Sequence, residues 1–169
     1  LILTSATYRQ DSSGTPGGNA YDPDNALLSR MSVRRLDADQ IRDSLLMLGG
    51  TLRTDYGGPS VNPAVPRRTI YTKIIRNRRD PILDAFDAPL PVASACERTN
   101  TTTPTQVLYL LNSQPMTEAA RKFALRLGRT TDPADGIARA YWAALGRAPG
   151  AAESAAAENF LIRQRERID

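Results

Sequence analysis

The 169-residue chain has no histidine and a single cysteine, Cys96. Without histidine there is no Ser-His-Asp triad, no Cys-His pair and no imidazole metal ligand. One thiol excludes an internal disulfide, a thiolate zinc cluster and the paired-cysteine attachment of a c-type haem. It is silent on compartment. Aromatic residues are scarce, at 6%, which leaves Leu, Ile, Val and Ala to build the core. No stretch approaches the roughly 18 consecutive apolar residues of a membrane helix. The opening LILTSA is too short for a signal peptide. These absences predict no cofactor, no metal and no membrane span.

Hydrophobic residues make up 41% of the chain, ordinary for a globular protein and too many for full disorder. The length suits one domain, 1–169, with a real core. The chain opens on Leu, and its last residues, NFLIRQRERID, still read as helix. Both features are read as cuts, making the chain a C-terminal fragment of a larger multidomain protein. Net charge is +4. Apart from Lys73 and Lys122, every basic residue is arginine, the better fork for carboxylate, phosphate or sulfate.

Residues 10–25 (QDSSGTPGGNAYDPDN) are loop by composition, and a short helix is expected at Ala26–Met31. LDADQIRDSLLMLGG is the clearest element. Asp37 and Gln40 form a capping-box pair, and Ile41, Leu45 and Leu48 recur at helical spacing. Gly49 and Gly50 stop the helix. Another Gly/Pro-rich loop follows to residue 68. RRTIYTKIIRN then alternates Ile70, Thr72 and Ile74 against Tyr71, Lys73 and Ile75, a strand pattern. Pro81 opens a short helix, PILDAFD. Residues 88–103 are loop, and T-P-T-Q at 103–106 is a capping box with proline at its first helical position. Apolar helices follow in VLYLLN, MTEAARKFALRLG, ADGIARAYWAAL and the tail from Gly150. Their short connections favour antiparallel packing.

Candidate chemistry is thin. Cys96 stands between Ala95 and Glu97, with Arg98 beyond. Arginine lowers a thiol pKa but accepts no proton, so the thiol reads as incidental or buried. Asp84 and Asp87 lie in DAFD, and Asp22 and Asp24 in YDPDN. A glycosidase needs two carboxyls about 5–10 Å apart across a cleft, and the second pair reads better as turn and cap residues. Arg67, Arg68, Lys73, Arg76, Arg78 and Arg79 crowd one segment, with Arg34 and Arg35 upstream. A polyanion surface has this composition, and so does a charged strand edge or an interface. Tyr8, Arg9 and Gln10 form a polar cluster in SATYRQ. Asn100-Thr101-Thr102 matches a glycosylation sequon, which matters only in a eukaryotic secretory chain.

SATYRQ, DPDNALLSR, RRLDADQIRDSLL, GGPS, RRTIY, FDAP, CERTNTTTPTQVLYLLN and ALGRAP occur in this order. Together they resemble the planctomycete-specific C-terminal domain of unknown function, found in large secreted proteins that often carry an N-terminal cytochrome c-like domain. The resemblance spans residues 4–150. It implies a bacterial, exported, mostly helical domain without haem. Its genes often lie near sulfatases and other polysaccharide-degrading functions. It carries over no catalytic residue.

The expected fold is mainly α: a compact helical domain with long Gly/Pro-rich loops and one short β element near 69–76. Residues 1–103 are its loop-rich part and 104–169 its helical part. The expected function is non-catalytic, an accessory interaction domain docking on the upstream domain of its own parent chain. Its candidate contacts are Tyr8, Arg9, Gln10, Arg67, Arg68, Lys73, Arg76, Arg78, Arg79, Arg98 and Asn100. Buried pairs of arginine with Asp22, Asp37 or Asp87 would give the polar blocks a structural role. The alternatives are a module for anionic (sulfated) polysaccharide and a hydrolase built on Asp84 or Asp87. Nucleic acid is disfavoured as a partner.

Overall fold

The computed structural model describes residues 1–14, 20–92, 94–96, 98 and 101–168. They fall into two compact units, residues 1–36 and 37–169. The protein is mainly helical, as its sequence predicts.

The first unit is built from turns. After a 3-10 turn at Ile2–Thr4, the Ser5 hydroxyl accepts the Tyr8 N–H at 3.2 Å and the Ser5 carbonyl accepts the Arg9 N–H at 3.3 Å. In DPDNALLSR the Asp22 carboxylate takes the N–H groups of Ala26 and Leu27 at 2.8 and 2.9 Å. The Asn25 carboxamide accepts the Arg30 N–H at 3.1 Å and donates to the Arg30 carbonyl at 2.8 Å. The helix expected at 26–31 is therefore replaced by a turn. Side chains of Asp22 and Asn25 take the backbone groups that a helix would need, and Asn25 and Leu28 sit at φ +54° and +55°.

The second unit holds the helices, each begun by the residues that predict it. Helix α1 is Ala38–Leu48, where Gln40 Oε1 accepts the Asp37 N–H at 2.9 Å. Gly50, at φ +66°, closes it. Helix α2, Pro81–Ala85, is capped by Asp80 Oδ1 on the Ile82 N–H at 3.0 Å. Helix α3, Pro104–Asn112, has the full capping box: Thr103 Oγ1 accepts the Gln106 N–H and Gln106 Oε1 accepts the Thr103 N–H. Only Ser113 separates it from α4, Gln114–Leu127. Asp132 caps α5, Pro133–Leu145, and left-handed Gly146 ends it. Helix α6 is Ala151–Ile168.

Ala38, Ile82 and Phe86 form the core, with Ile41, Leu45, Leu83 and Tyr109 packed around them. Phe86 and Tyr109 meet edge to face, with ring centroids 6.1 Å apart, which anchors α3 over α2. Helix α1 packs on α2 and α4. Further pairs are α3 with α2 and α4, α4 with α5, and α5 with α6.

The alternating segment near 69–76 makes only isolated bridges. Residues Thr69–Tyr71 form a 3-10 turn. Thr72 bridges Val61, and Ile75 bridges Arg78. Thr69 is drawn out of a strand by Asp43, whose Oδ1 accepts both its N–H at 2.7 Å and its hydroxyl at 2.6 Å.

Candidate functional site

Arginines in this chain bind backbone carbonyls. Arg42, on α1, is 7% exposed. Its Nη1 donates to the Arg67 carbonyl at 2.9 Å and to Thr69 Oγ1 at 3.2 Å; its Nη2 reaches the carbonyls of Pro63 and Val65 at 2.6 and 3.3 Å. Asp80 lies 3.7 Å from its Nε. Arg67, also buried, donates to the carbonyls of Pro59, Asp55 and Gly57 and lies over the Tyr71 ring, 4.1 Å from its centroid. Two guanidinium groups thus fix the loop over 55–69, supplying donors to carbonyls that no helix or sheet satisfies. Arg126, from α4, donates to the Met47 carbonyl at the end of α1 at 3.0 Å. Arg139, from α5, does the same for Leu127 at the end of α4, at 2.7 Å. Each caps the negative end of a neighbouring helix.

A second polar cluster joins FDAP to the threonine run. Asp87, at φ +61°, accepts the Thr101 N–H at 2.9 Å and the Thr101 hydroxyl. Gln106, 3% exposed, adds its Nε2 donor to Asp87 Oδ2 at 3.3 Å. In ALGRAP, Arg147 grips Glu153 with both Nη atoms at 2.7 and 2.8 Å, and the Gly150 N–H adds a third bond. Those donors hold the Glu153 carboxyl down at about 2.

Of the candidate contacts, Arg67, Arg68, Arg79 and Arg98 have internal work. Arg68 pairs with Asp43 at 3.5 Å. Arg79 pairs with Asp84 and donates to the Ala88 carbonyl. Arg98 reaches Asp39 at 2.6 Å and lies 3.8 Å from Asp37, and the Asp39 bond raises its pKa. Lys73, Arg76 and Arg78 are exposed, and their side chains have no partner among the described residues. Tyr8 and Arg9 are exposed in the turn after the first 3-10 segment, and Gln10 is half-buried. Asn100, the first residue of the sequon, lies outside the described residues. Asp84 and Asp87 serve different partners, a guanidinium and a threonine, and Cys96 is exposed. No group of three metal-ligating side chains occurs among the described residues. No described helix is long and apolar enough to cross a membrane.

Two surface features of the second unit escaped the sequence reading. One is an open pocket of about 720 Å³, walled by α1, the loop around Pro63, the stretch 75–82 and the start of α4. The other is a set of uncovered apolar side chains. On α3, Gln106 and Tyr109 turn inward while Val107, Leu108 and Leu111 face out, Leu111 at 71% exposure. Trp142 and Leu145 on α5, and Phe160, Leu161 and Ile162 on α6, are also exposed. A helix apolar on both faces signals cover from something else; the sequence signal was the unbroken VLYLL.

The family described as PSD1, Protein of unknown function (DUF1553), matches residues 1–161, and the chain belongs to it. No curated protein and no solved structure matches the chain.

Proposed function

We propose that the chain is a non-catalytic accessory domain that docks on another region of its parent protein. The observation that carries this reading is the set of exposed apolar side chains on α3, α5 and α6. A buried Leu or Phe is worth about 1.5–3 kcal/mol over an exposed one, so these side chains reward a protein partner. Charge argues against a second copy: α6 ends with Arg163, Arg165 and Arg167 against Glu166 alone, and net charge is +4. The partner surface is therefore apolar with an acidic rim. Export, a planctomycete parent and a setting in polysaccharide breakdown belong to the same proposal and are supported by the eight sequence blocks. Hydroxyl-radical footprinting tests the docking. Trp142 and Phe160 label strongly in this chain alone and are protected in the parent protein; equal labelling in both would count against docking.

A second reading, an anionic polysaccharide module, is supported by Lys73, Arg76 and Arg78, which are exposed and have no partner among the described residues. It predicts salt-sensitive retention on a sulfated-glycan matrix that Arg76→Ala with Arg78→Ala abolishes. Retention unaltered by that change contradicts it. Arg79, already paired with Asp84, is expected to contribute little.

A further inference from the structure

The geometry points to the pocket between α1 and α4 as a binding site for a small amphipathic anion, one acid group on an apolar body. Its size, about 720 Å³, falls within the roughly 300–1,000 Å³ of ligand pockets. Leu45, Ile82 and Tyr109 supply an apolar floor continuous with the core. The wall is set before any ligand arrives. Arg42 fixes Pro63 and Val65 through their carbonyls, and Asp80 both caps α2 and lies beside the Arg42 guanidinium.

Charge along the lining is unequal. Of the ionic side chains lining the pocket, Arg42, Arg79 and Asp80 are committed to partners. Glu118 is bonded by the Gln114 amide at 2.9 Å. Arg78 and Lys122 have no partner among the described residues, so two cations face one carboxylate. The first turn of α4 lines the same wall and adds the positive end of its dipole. An uncharged apolar ligand would leave both cations unanswered, and a bare inorganic anion would leave the floor wet. A molecule with both parts answers both. This inference stands apart from the docking reading, because the outward face of α3 is not part of the pocket.

The test is a titration of the full chain with sodium decanoate, followed by amide chemical shifts. Decan-1-ol and sodium sulfate are titrated in parallel. Saturable shifts at Thr51, Asn62, Ala119 and Lys122 are expected with decanoate, at an affinity at least tenfold above decan-1-ol, with none from sulfate. The double variant Arg78→Gln, Lys122→Gln, which changes two lining side chains outside the core, should lose at least tenfold in decanoate affinity while keeping its circular dichroism spectrum. Equal binding of the alcohol, binding of sulfate alone, shifts confined to α3, α5 and α6, or an unaffected double variant would each overturn the assignment.

Discussion

The Nη1 group of Arg42 donates to the main-chain carbonyl of Arg67 at 2.9 Å, so one buried arginine holds the backbone of another. Arg67 then spends its own guanidinium on the carbonyls of Asp55, Gly57 and Pro59. The two form a relay from α1 to a loop without regular structure. The relay takes Arg67 out of the basic run, and Asp43 and Asp84 take Arg68 and Arg79.

Removing Arg42 should be among the most damaging single changes. Arg42→Met strands several carbonyls and the carboxylate of Asp80. Breaking a buried charged network from one side costs about 3–5 kcal/mol. Arg42→Lys should recover less than half of that, because an ammonium has three donors and no fork. Urea unfolding followed by circular dichroism checks both; a neutral Arg42→Met would contradict the relay.

Asp87 should tolerate asparagine better than alanine. Asp87→Ala leaves the Thr101 N–H without its carboxylate acceptor and places a methyl-bearing residue at φ +61°. We expect a loss of about 2 kcal/mol. Asp87→Asn keeps one acceptor and suits the left-handed region, with a loss of about 1 kcal/mol. Hydrogen exchange at the Thr101 amide reads the difference directly.

The α5–α6 junction should loosen in acid. Glu153 has its carboxyl lowered to about 2 from an ordinary 4.5. A depressed carboxyl stabilises the fold above its unfolded value and loses that contribution as pH falls through the folded one. Exchange at the Gly150 amide should therefore quicken between about pH 4.5 and 2, beyond the intrinsic pH dependence of exchange. Glu153→Gln should show the loosened junction at every pH. Equal protection at pH 5 and pH 2 after that correction would show that the Arg147 grip does not hold the junction.

The capping box of α3 should be separable from the core beneath it. Thr103→Ala removes the oxygen that accepts the Gln106 N–H, at a cost of about 1 kcal/mol. The Phe86–Tyr109 contact should survive, which the ring proton shifts of Tyr109 report.

Helices were legible wherever a local rule fixes them. Thr103-Pro104-Thr105-Gln106 and Asp37 with Gln40 each mark a start within a few residues, and each start is where the sequence puts it. Long-range hydrogen bonds were not legible. Arg42 sits on the helix face also carrying Leu45, and nothing local says that it reaches residues 63–69. The alternation of Ile70, Thr72 and Ile74 suggested a strand, yet Asp43 claims Thr69 and bends the chain. The helix at 26–31 failed for the same reason: Asp22 and Asn25 outcompete helical bonds. Exposure of the α3 face depends on what lies beside it, which local periodicity does not reveal.

The most direct test of the docking claim is a calorimetric titration of this chain against the preceding region of its parent protein, made separately. The account predicts saturable one-to-one binding, weakened at least a hundredfold by Leu108→Glu with Leu111→Glu, since each change sets a carboxylate into an apolar contact. No binding by the native chain, or binding indifferent to the double change, would contradict it.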